Sequence, residues 1–376
     1  MMDSAKRICT FCESDLVHVH SPIGSNRGME VYRCSNCNLL QSIGFKNYIS
    51  RPKGSMSCNA DRASIKYTKT LVHGDQMDWL ESFGIDVFSF RNILDIGANR
   101  GTFCKHVLSN SESLARFHAV ETDPDFEEIF LGLDDRVCFD LKRVENLEFQ
   151  NDFYDFIYCI HTLEHVFDLK ALLEKLRNTL TDDGYFYISV PNILNGAYDG
   201  FSEIFIDPHT IHFEYDNLKH VLTKSGFEIV HISEDDQPEI KVLVRRSENV
   251  VILDASISLD LGKYKVNLVQ SREKLARSAQ VIAAFEGYRI FWGAGRTFDA
   301  LVRIGNLVLR DGDIVIDKSI GNHFETLFEK KVGHPRDLVE FRFKKDSLII
   351  ICAIEYYDDI VKECVDLGFY NYLKLF

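Results

Sequence analysis

The sequence has no apolar run near the roughly 18–20 residues of a membrane-spanning helix, and no apolar signal-peptide core follows its first residues. Low-complexity tracts and short-period repeats are also missing. Positive charge is not in excess, because the formal net charge is −14. Nucleic acids and anionic membrane surfaces are therefore disfavoured partners. We expect a cytoplasmic protein of two or three domains, because 376 residues exceed what one hydrophobic core usually organises.

The ten cysteines are unevenly distributed along the chain. Two C-x-x-C pairs lie near the N-terminus, separated by residues 13–33, and the other cysteines occur singly. Two such pairs supply four thiolates, which is the tetrahedral ligand set of a structural zinc ion with no position left for catalysis. The pattern also suits a reducing compartment better than a disulfide framework. The sequence therefore predicts a zinc-ribbon-like domain over residues 1–60, with the metal bound by Cys9, Cys12, Cys34 and Cys37.

After a turn-rich tip at residues 24–28 and a linker over 47–66, short apolar runs alternate with helical stretches, as in a parallel α/β sheet. In the second segment, 65–247, the pattern predicts two helices, 102–108 and 169–180, and Asp182-Asp183-Gly184 is expected to end the second one. It also predicts six strands, at 92–96, 117–120, 156–160, 185–190, 227–232 and 240–244. The third segment, 270–376, restarts the pattern with helices 271–285 and 356–367 and strands 288–292, 313–316 and 348–353. The expected fold class is α/β, with a Rossmann-like core and a second, smaller Rossmann-like domain.

A glycine turn follows the first strand of the core. The strand ends in Asp95, and the chain passes through Gly97 and Gly101 into a helix. Such a turn lets the backbone and the helix N-terminus approach a ligand closely, and glycine avoids a Cβ where the ligand would lie. Glu121 ends the next strand, where a carboxylate can accept hydrogen bonds from both ribose hydroxyls. A sulfonium nucleoside has no phosphates, so it fits this glycine-poor turn better than a dinucleotide does.

Four motifs occur in order along this segment: Asp95–Gly101, Glu121, Leu163–Val166 and Asp182–Asn192. In this combination the chain resembles class I S-adenosylmethionine-dependent methyltransferases. The resemblance implies a mostly parallel seven-stranded sheet in the Rossmann-like core. It also implies S-adenosyl-L-methionine as the methyl donor.

The resemblance further assigns roles to residues of the turn and the strand ends. The Asp95–Gly101 turn would shape the methionine and ribose site, and Glu121 would hold the ribose diol. The adenine edge would lie near residues 143–145, although the acidic residue that the family often has near Arg143 is missing here. The residues after the fourth strand would flank the sulfonium. The implied cofactor-binding residues are Asp95, Gly97, Ala98, Asn99, Gly101, Glu121, Val144, Cys159, Ile160 and His161.

The Glu164-His165 pair has two interpretations. In the family that the chain resembles, this pair commonly braces the helix after the fourth strand, and we favour that role. His161, Glu164 and His165 also have the i, i+3, i+4 spacing of one helical face, so a metal site is the alternative. Relatives that methylate catechols or RNA ends place a divalent ion there, but they usually have Glu at the position of His161. That difference disfavours a metal.

The segment 207–213 follows the fifth strand, on the side where methyl acceptors bind in this fold. A histidine there can take a proton from an acceptor, since its pKa lies near working pH. His209 and His212 are therefore the candidate catalytic bases, with His209 preferred because its neighbours indicate a loop. In the alternative, both histidines only stabilise the loop and the start of the following helix. Tyr198 and Tyr215 are further candidates for the acceptor site.

The order of the segments adds a second, narrower resemblance. A zinc-binding N-terminus, a methyltransferase core and a tail with Gly293-Ala294-Gly295 are similar to bacterial sugar C-methyltransferases, which act on nucleotide-linked deoxysugars. The resemblance implies a nucleotide-linked sugar as acceptor, bound by the C-terminal domain. This chain departs from that group's pattern in the run 207–212 and in its short glycine turn. The resemblance is therefore a better guide to the domain architecture of this chain than to its substrate.

Two alternative functions remain open. The chain could methylate oxygen or nitrogen of another small molecule or of RNA, or it could be a non-catalytic scaffold that binds S-adenosylmethionine. The intact turn and Glu121 speak against a chain that has lost its cofactor. Neither the methylated atom nor the choice between monomer and dimer follows from the sequence.

Overall fold

The computed structural model describes residues 7–22, 29–44, 71–195, 204–205, 209–318 and 326–375. The chain divides into two compact units, the first built from residues before 198 together with 204–261, and the second from residues after 261. The predicted tip at 24–28, the linker over 47–66 and Tyr198 lie outside the described residues. The three predicted domain ranges, 1–60, 65–247 and 270–376, stay a prediction.

The first unit contains eleven strands and five helices in its described residues. The strands are β1 (Leu16–His20), β2 (Glu30–Cys34), β3 (Leu40–Ile43), β4 (Asn92–Ile96), β5 (Arg116–Glu121), β6 (Val137–Leu141), β7 (Tyr154–Ile160), β8 (Leu180–Pro191), β9 (Ile211–His212), β10 (Phe227–Ile232) and β11 (Glu239–Arg246). The helices are α1 (Leu71–Glu81), α2 (Thr102–Asn110), α3 (Glu127–Phe130), α4 (Leu169–Thr179) and α5 (Tyr215–Lys224).

The central sheet has seven strands in the order β6-β5-β4-β7-β8-β11-β10. Strand β11 runs antiparallel to its neighbours β8 and β10, and the other pairs are parallel. This confirms the predicted mostly parallel, seven-stranded sheet. The strand order reverses between β4 and β7, and ligands of open α/β sheets bind at the carboxyl ends of the strands at such a point.

Both faces of this sheet are buried, because successive side chains of a strand point to opposite sides. Leu94 and Ile157 belong to the core on one face, which the leucines of α4 and α5 cover. Ile93 and Phe156 belong to the core on the other face, which is covered by Phe103 and other residues of α2. The buried strands explain why their sequences are nearly continuous apolar runs.

A second, smaller sheet in the first unit has the order β1-β2-β3-β9, with all pairs antiparallel. Its last strand comes from the segment after β8, far along the sequence. Cys9, Phe11 and Leu39 from the N-terminal segment belong to the same buried cluster as the leucines of α4. The N-terminal segment and the central sheet therefore share one core.

Two features of the first unit differ from the sequence prediction. The run Asp182-Asp183-Gly184 does not end a helix, because α4 stops at Thr179 and the run lies within β8. There the register with β7 shifts, Leu180 pairing with Tyr154 and Tyr185 with Phe156, so the polar residues form a local irregularity. The edge strand β6 was missed, because all its residues are only partly buried.

The second unit has six described strands in the order β14-β15-β13-β12-β16-β17, and all pairs are parallel except β14 with β15. The strands are β12 (Tyr288–Trp292), β13 (Ile314–Ile316), β14 (Thr326–Leu327), β15 (Lys330–Gly333), β16 (Ser347–Ile351) and β17 (Tyr372–Lys374), and the helices are α6 (Leu261–Ala284), α7 (Arg296–Arg303) and α8 (Tyr357–Asp366). Helix α6 begins earlier than the predicted position 271, because its buried stripe starts at Leu268. Among the described helices of the chain, none combines the length and apolar character that a membrane crossing needs.

Candidate functional site

The glycine turn lies at the carboxyl end of β4, where the strand order reverses. The backbone N–H groups of Gly97 and Ala98 both donate to the carbonyl oxygen of Val120 on β5, at 2.9 and 3.0 Å. Gly97, Asn99 and Gly101 have positive φ angles of 81°, 46° and 65°. Gly101 then caps the N-terminus of α2. The local fold therefore needs a left-handed backbone at three positions within five residues.

The two glycines are required by neighbouring protein atoms. A Cβ added at Gly97 would lie 2.0 Å from Oγ1 of Thr162, in the turn after β7. A Cβ at Gly101 would lie 3.1 Å from the ring of Phe130. The sequence interpretation attributed both glycines to a ligand. The structure adds a reason internal to the protein, which is the close approach of the turns after β4 and β7.

The Glu121 carboxylate holds this turn in place. Its Oε2 accepts a hydrogen bond from the backbone N–H of Asn99 at 2.8 Å, and its Oε1 accepts from the N–H groups of Thr122 and Asp123 at 2.6 and 3.0 Å. Glu121 therefore joins the end of β5 to the turn after β4. Its partly exposed position leaves the carboxylate within reach of a ligand at the same edge.

Asp95 lies beneath the turn and is almost fully buried, with 3% exposure. Its Oδ2 has no hydrogen-bond partner among the described residues. Burial raises the pKa of Asp95 well above its usual range, and repulsion from Glu121 adds to the shift. A buried oxygen without a partner next to a glycine turn fits a site that receives a polar ligand group.

The remaining residues predicted to bind a cofactor lie at the ends of neighbouring strands. Val144 is buried in a short 3-10 turn after β6, beside an ion pair of 2.8 Å between Arg143 and Glu145. Cys159 is buried near the end of β7, where burial raises the pKa of its thiol. Ile160 ends the strand. All ten predicted positions therefore lie along the carboxyl edge of β4, β5, β6 and β7.

His161 follows β7 with a positive φ of 46°. Its Nε2 lies 3.0 Å from Oε1 of Glu239, and its Nδ1 lies 3.6 Å from Oε1 of Glu164. Burial alone would lower the pKa of His161, but the two carboxylates outweigh it and raise the pKa to about 10. His161 is therefore an imidazolium at neutral pH. Glu239 is not predictable from the sequence, because it begins β11, 78 residues after His161, and no local motif marks it.

Glu164 and His165 form a short 3-10 turn, Leu163–His165, and His161 lies outside it. The expected α-helical face with i, i+3, i+4 spacing is therefore wrong, although the turn still brings Glu164 close to His161. The Glu164 side chain is 2% exposed. Burial would raise its pKa, but His161, followed by the other neighbouring histidines, lowers it to about 2. Glu164 is therefore a fully buried carboxylate.

The two predicted bases occupy different environments. The ring of His209 is 4.7 Å from that of His165, measured between centroids, and burial lowers the pKa of His209 to about 4. His212 lies in β9, where its Nε2 is 2.6 Å from Oγ of Ser42 in the N-terminal sheet. Burial lowers the pKa of His212 well below its usual range. Both imidazoles are neutral, and the ring of His212 is already engaged with Ser42.

The match to known proteins covers part of the chain. Residues 71–232 match a family model described as a methyltransferase domain. The chain contains a methyltransferase domain. With the seven-stranded sheet described above, this domain has the class I S-adenosylmethionine-dependent methyltransferase fold.

A curated relative and two solved structures are similar to this chain. A tRNA U34 carboxymethyltransferase of Sulfurimonas denitrificans is 27% identical over 173 residues, covering 44% of this chain and 51% of that protein. This chain thus spans about half the length of that relative. S-adenosylmethionine-dependent methyltransferases from Aquifex aeolicus and Mesorhizobium loti are 16% and 18% identical, with TM-scores of 0.39 and 0.37. They cover 49% and 45% of this chain, and 97% and 96% of their own chains.

The four predicted zinc ligands come together on the N-terminal side of the methyltransferase domain. The Sγ atoms of Cys9, Cys12, Cys34 and Cys37 all lie within 4.8 Å of one another. The Cys9–Cys37 and Cys12–Cys34 pairs are 3.7 and 3.3 Å apart, and all four thiols are free. Thiolates about 2.3 Å from one zinc ion in a tetrahedron would be separated by nearly 4 Å. The spacing therefore fits a single ion.

Hydrogen-bond donors lie beside two of these sulfurs. Gln41 donates a hydrogen bond from Nε2 to Sγ of Cys9 at 2.9 Å, and the backbone N–H groups of Asn36 and Cys37 donate to Cys34 at 3.4 Å. Hydrogen bonds from Cys34 and then Cys37 lower the pKa of Cys9, whereas the bond with Cys34 raises the pKa of Cys37. Donors to sulfur stabilise thiolates, which are the form that binds zinc.

The second unit has its own glycine turn. Gly293 has a φ of 101°, and a Cβ there would lie 2.7 Å from the backbone nitrogen of Ala353. The N–H of Ala294 donates to Oδ2 of Asp317, which follows β13, at 3.0 Å. Nothing lies within 4 Å of a Cβ at Gly295, which caps the N-terminus of α7. The turn therefore has an open position in front of a helix N-terminus.

The contact between Gly97 and Thr162 is open to test by mutation. Gly97→Ala should lower the free energy of unfolding by about 1–3 kcal/mol more than Gly132→Ala, because of overpacking against Thr162. Gly132 is a matched control, since it also has a positive φ, 70°, but nothing lies within 4 Å of its Cβ position. Urea unfolding of the two variants measures the difference.

A double variant separates the contact from backbone strain. Thr162→Ala should recover part of the loss in Gly97→Ala, because the closest atom, Oγ1, is removed. Two results would show that the turns after β4 and β7 do not depend on this close approach. One is an equal loss of unfolding free energy in Gly97→Ala and Gly132→Ala, and the other is strict additivity of the effects of Gly97→Ala and Thr162→Ala.

Proposed function

We propose that this chain transfers a methyl group from S-adenosyl-L-methionine to a small-molecule acceptor, a nucleotide-linked sugar or a related precursor. One observation carries the proposal: Glu121 fixes the glycine turn at the carboxyl end of β4, which follows Asp95 with its unpartnered buried oxygen. The match of residues 71–232 to a methyltransferase domain supports the donor. The acceptor and the activity of the whole chain are the proposal.

The donor site is assigned to residues along one edge of the sheet. When bound, S-adenosylmethionine supplies a methyl group that is already activated by the sulfonium. Glu121 would hold the ribose hydroxyls, and Asp95 and the turn up to Gly101 would line the methionine part. Val144 would contact the adenine, and residues 159–161 would flank the sulfonium. With the donor activated, the protein mainly aligns the acceptor and excludes water.

The acceptor is assigned to the side of His209. Its neutral imidazole has a lone pair that can accept a proton. As the acceptor atom forms a bond to the methyl carbon, the bond from sulfur to that carbon breaks, and the acceptor's proton can pass to His209. His212 has the same chemistry in principle, but Ser42 and the pairing of β9 with β3 already engage it.

The second unit supports a nucleotide as part of the acceptor. Its turn combines Asp317 at a strand end with the open position at Gly295, which is the arrangement that holds a ribose and lets a nucleotide approach a helix N-terminus. The order of segments, similar to bacterial sugar C-methyltransferases, supports a sugar as the other part. We therefore assign the nucleotide to the Gly293–Gly295 turn.

A second candidate acceptor is RNA, which the name of the Sulfurimonas relative suggests. The formal net charge of −14 opposes it, because RNA binding depends on neutralising phosphates with basic side chains. Salt-dependent retention of RNA by the protein in a filter assay would favour RNA over a nucleotide-linked sugar.

We also propose that Cys9, Cys12, Cys34 and Cys37 bind one structural zinc ion. With four sulfur ligands the ion has no open position, so it stabilises the N-terminal segment and takes no part in methyl transfer. Four free thiols in one cluster suit a reducing compartment, which supports a cytoplasmic location.

Donor binding is tested by calorimetry with S-adenosylhomocysteine. Glu121→Ala should bind it about tenfold to a hundredfold more weakly, because hydrogen bonds to a charged group contribute about 1.5–3 kcal/mol. Asp134→Ala is the control, since its carboxylate accepts hydrogen bonds from the backbone N–H and the side chain of Arg136, away from the glycine turn. Absence of binding heat in the wild-type chain would instead favour a scaffold without this cofactor.

Acceptor binding is tested by a thermal-shift screen of nucleotide-linked sugars in the presence of S-adenosylhomocysteine. Gly295→Val should abolish the shift from the sugar and leave the shift from S-adenosylhomocysteine unchanged, because its side chain enters open space beside the turn. Turnover of the same sugar should fall with Gly295→Val and with His209→Gln. If the sugar raises the melting temperature of Gly295→Val as much as that of the wild type, the nucleotide does not bind at this turn.

If the four cysteines bind zinc, Cys34→Ser should contain one zinc ion fewer per chain than the wild type, measured by elemental analysis. Its melting temperature should also be lower than that of the wild type. The reason is that metal binding stabilises small metal-binding segments directly. Cys138→Ser, a partly buried lone thiol on β6, should change neither quantity. An unchanged zinc content in Cys34→Ser would rule out the four-cysteine site.

A further inference from the structure

A second group of potential metal ligands lies beyond the end of β7. The ligand atoms of Glu164, His165 and His209 all lie within 4.8 Å of one another. The rings of His165 and His209 are nearly perpendicular, at 79°. Thr210 fixes the two segments together, since its N–H donates to the carbonyl oxygen of Glu164 at 2.8 Å and its Oγ1 to that of Val166 at 2.6 Å. The convergence is therefore built into the backbone.

The Glu164 carboxylate is the unusual member of this group. Its side chain is 2% exposed, yet neither oxygen accepts a hydrogen bond within the described part of the chain. The nearest cation, Nδ1 of His161, is 3.6 Å away, and the same ring binds Glu239 at 3.0 Å. One imidazole ring thus lies between two carboxyl groups. A buried carboxyl group whose oxygens accept no hydrogen bond is costly unless a cation compensates it.

In a third group of potential ligands in the same domain, the histidine already uses both of its ring nitrogens. His118 lies with Cys138 and Asp140 at the edge of the sheet. Both of its ring nitrogens are engaged, Nδ1 with the hydroxyl of Tyr154 at 2.6 Å and Nε2 with Asp140 at 2.9 Å. That ring has no nitrogen left for a metal. The Glu164 group differs because its carboxylate oxygens have no hydrogen-bond donor.

We propose that Glu164, His165 and His209 bind a divalent transition-metal ion. Two imidazole nitrogens and one carboxylate oxygen are a ligand set that suits zinc, cobalt, iron or manganese, and three protein ligands leave coordination positions open. The Glu164 oxygens would gain the partner that they lack among the described residues. The binding itself does not depend on the proposed function.

The role of the ion rests on the proposed methyl transfer. An acceptor hydroxyl at an open position would lose its proton to water more readily, because a divalent cation lowers the pKa of a bound oxygen. The acceptor oxygen then forms the bond to the methyl carbon as the bond from sulfur to that carbon breaks. In this arrangement the lone pair of His209 binds the metal instead of accepting the acceptor's proton.

The test is calorimetric titration of Co²⁺ into the full chain, loaded beforehand with one equivalent of zinc. The four thiolates take up this zinc first, because soft thiolate ligands select it, and the Glu164 group stays empty. Cobalt does not displace zinc readily, because it binds such sites more weakly. We expect one further Co²⁺ per chain in the wild type. Glu164→Gln and His209→Gln should each weaken this binding by more than about tenfold, since even residues behind the ligands change metal affinity by about 10–100-fold.

His118→Gln is the matched control and should bind Co²⁺ as the wild type does. Melting curves of every variant establish that it is folded, and the absorption spectrum separates thiolate-bound cobalt from cobalt bound by nitrogen and oxygen. No Co²⁺ binding by the folded, zinc-loaded chain, or equal binding by Glu164→Gln, would overturn the proposal. Binding of S-adenosylhomocysteine is measured separately, so the metal site can fail while the proposed methyl transfer stands, or the reverse.

Discussion

In each unit, a carboxylate at the end of one strand accepts a hydrogen bond from the backbone of the glycine turn on the neighbouring strand. Glu121 binds the N–H of Asn99 in the first unit, and Asp317 binds that of Ala294 in the second. A turn N–H without an acceptor would cost about 1–3 kcal/mol where water is excluded. The carboxylate removes that cost and fixes the turn before any ligand arrives, so that less ordering is needed on binding.

The rest of the donor edge depends on this fixed turn. Because the turn after β4 cannot move away, the turn after β7 must pass it closely, and only glycine at position 97 leaves room for Thr162. Thr162 directly precedes the 3-10 turn Leu163–His165, so the position of Glu164 and His165 follows from the same constraint. The proposed acceptor side is thereby positioned by the proposed donor side, through backbone contacts rather than through a ligand.

Local features of this edge could be predicted from the sequence, and distant pairings could not. A few neighbouring residues are enough to predict the glycine turn, Glu121 and the two cysteine pairs, because strand ends and C-x-x-C spacing are local properties. The pairing of β9 with β3 joins residues about 170 positions apart, as in the bond between Ser42 and His212. Nothing near His212 indicates that partner, so its lone pair looked available for catalysis. Glu239 escaped prediction for the same reason, since it meets His161 only when β11 is placed beside β8.

Two groups of potential metal ligands in the first unit, the four cysteines and the Glu164 group, differ in their chemistry. The four cysteines offer only soft ligands, with donors such as Gln41 beside them, and an ion bound by all four would have no open position. The Glu164 group offers one oxygen and two nitrogens, and His165 and His209 are only partly buried. A carboxylate that was needed only to brace the 3-10 turn would be expected to accept hydrogen bonds from it, as Glu121 does from its own turn. Glu164 accepts none among the described residues, and its carboxyl group instead lies beside His165 and His209.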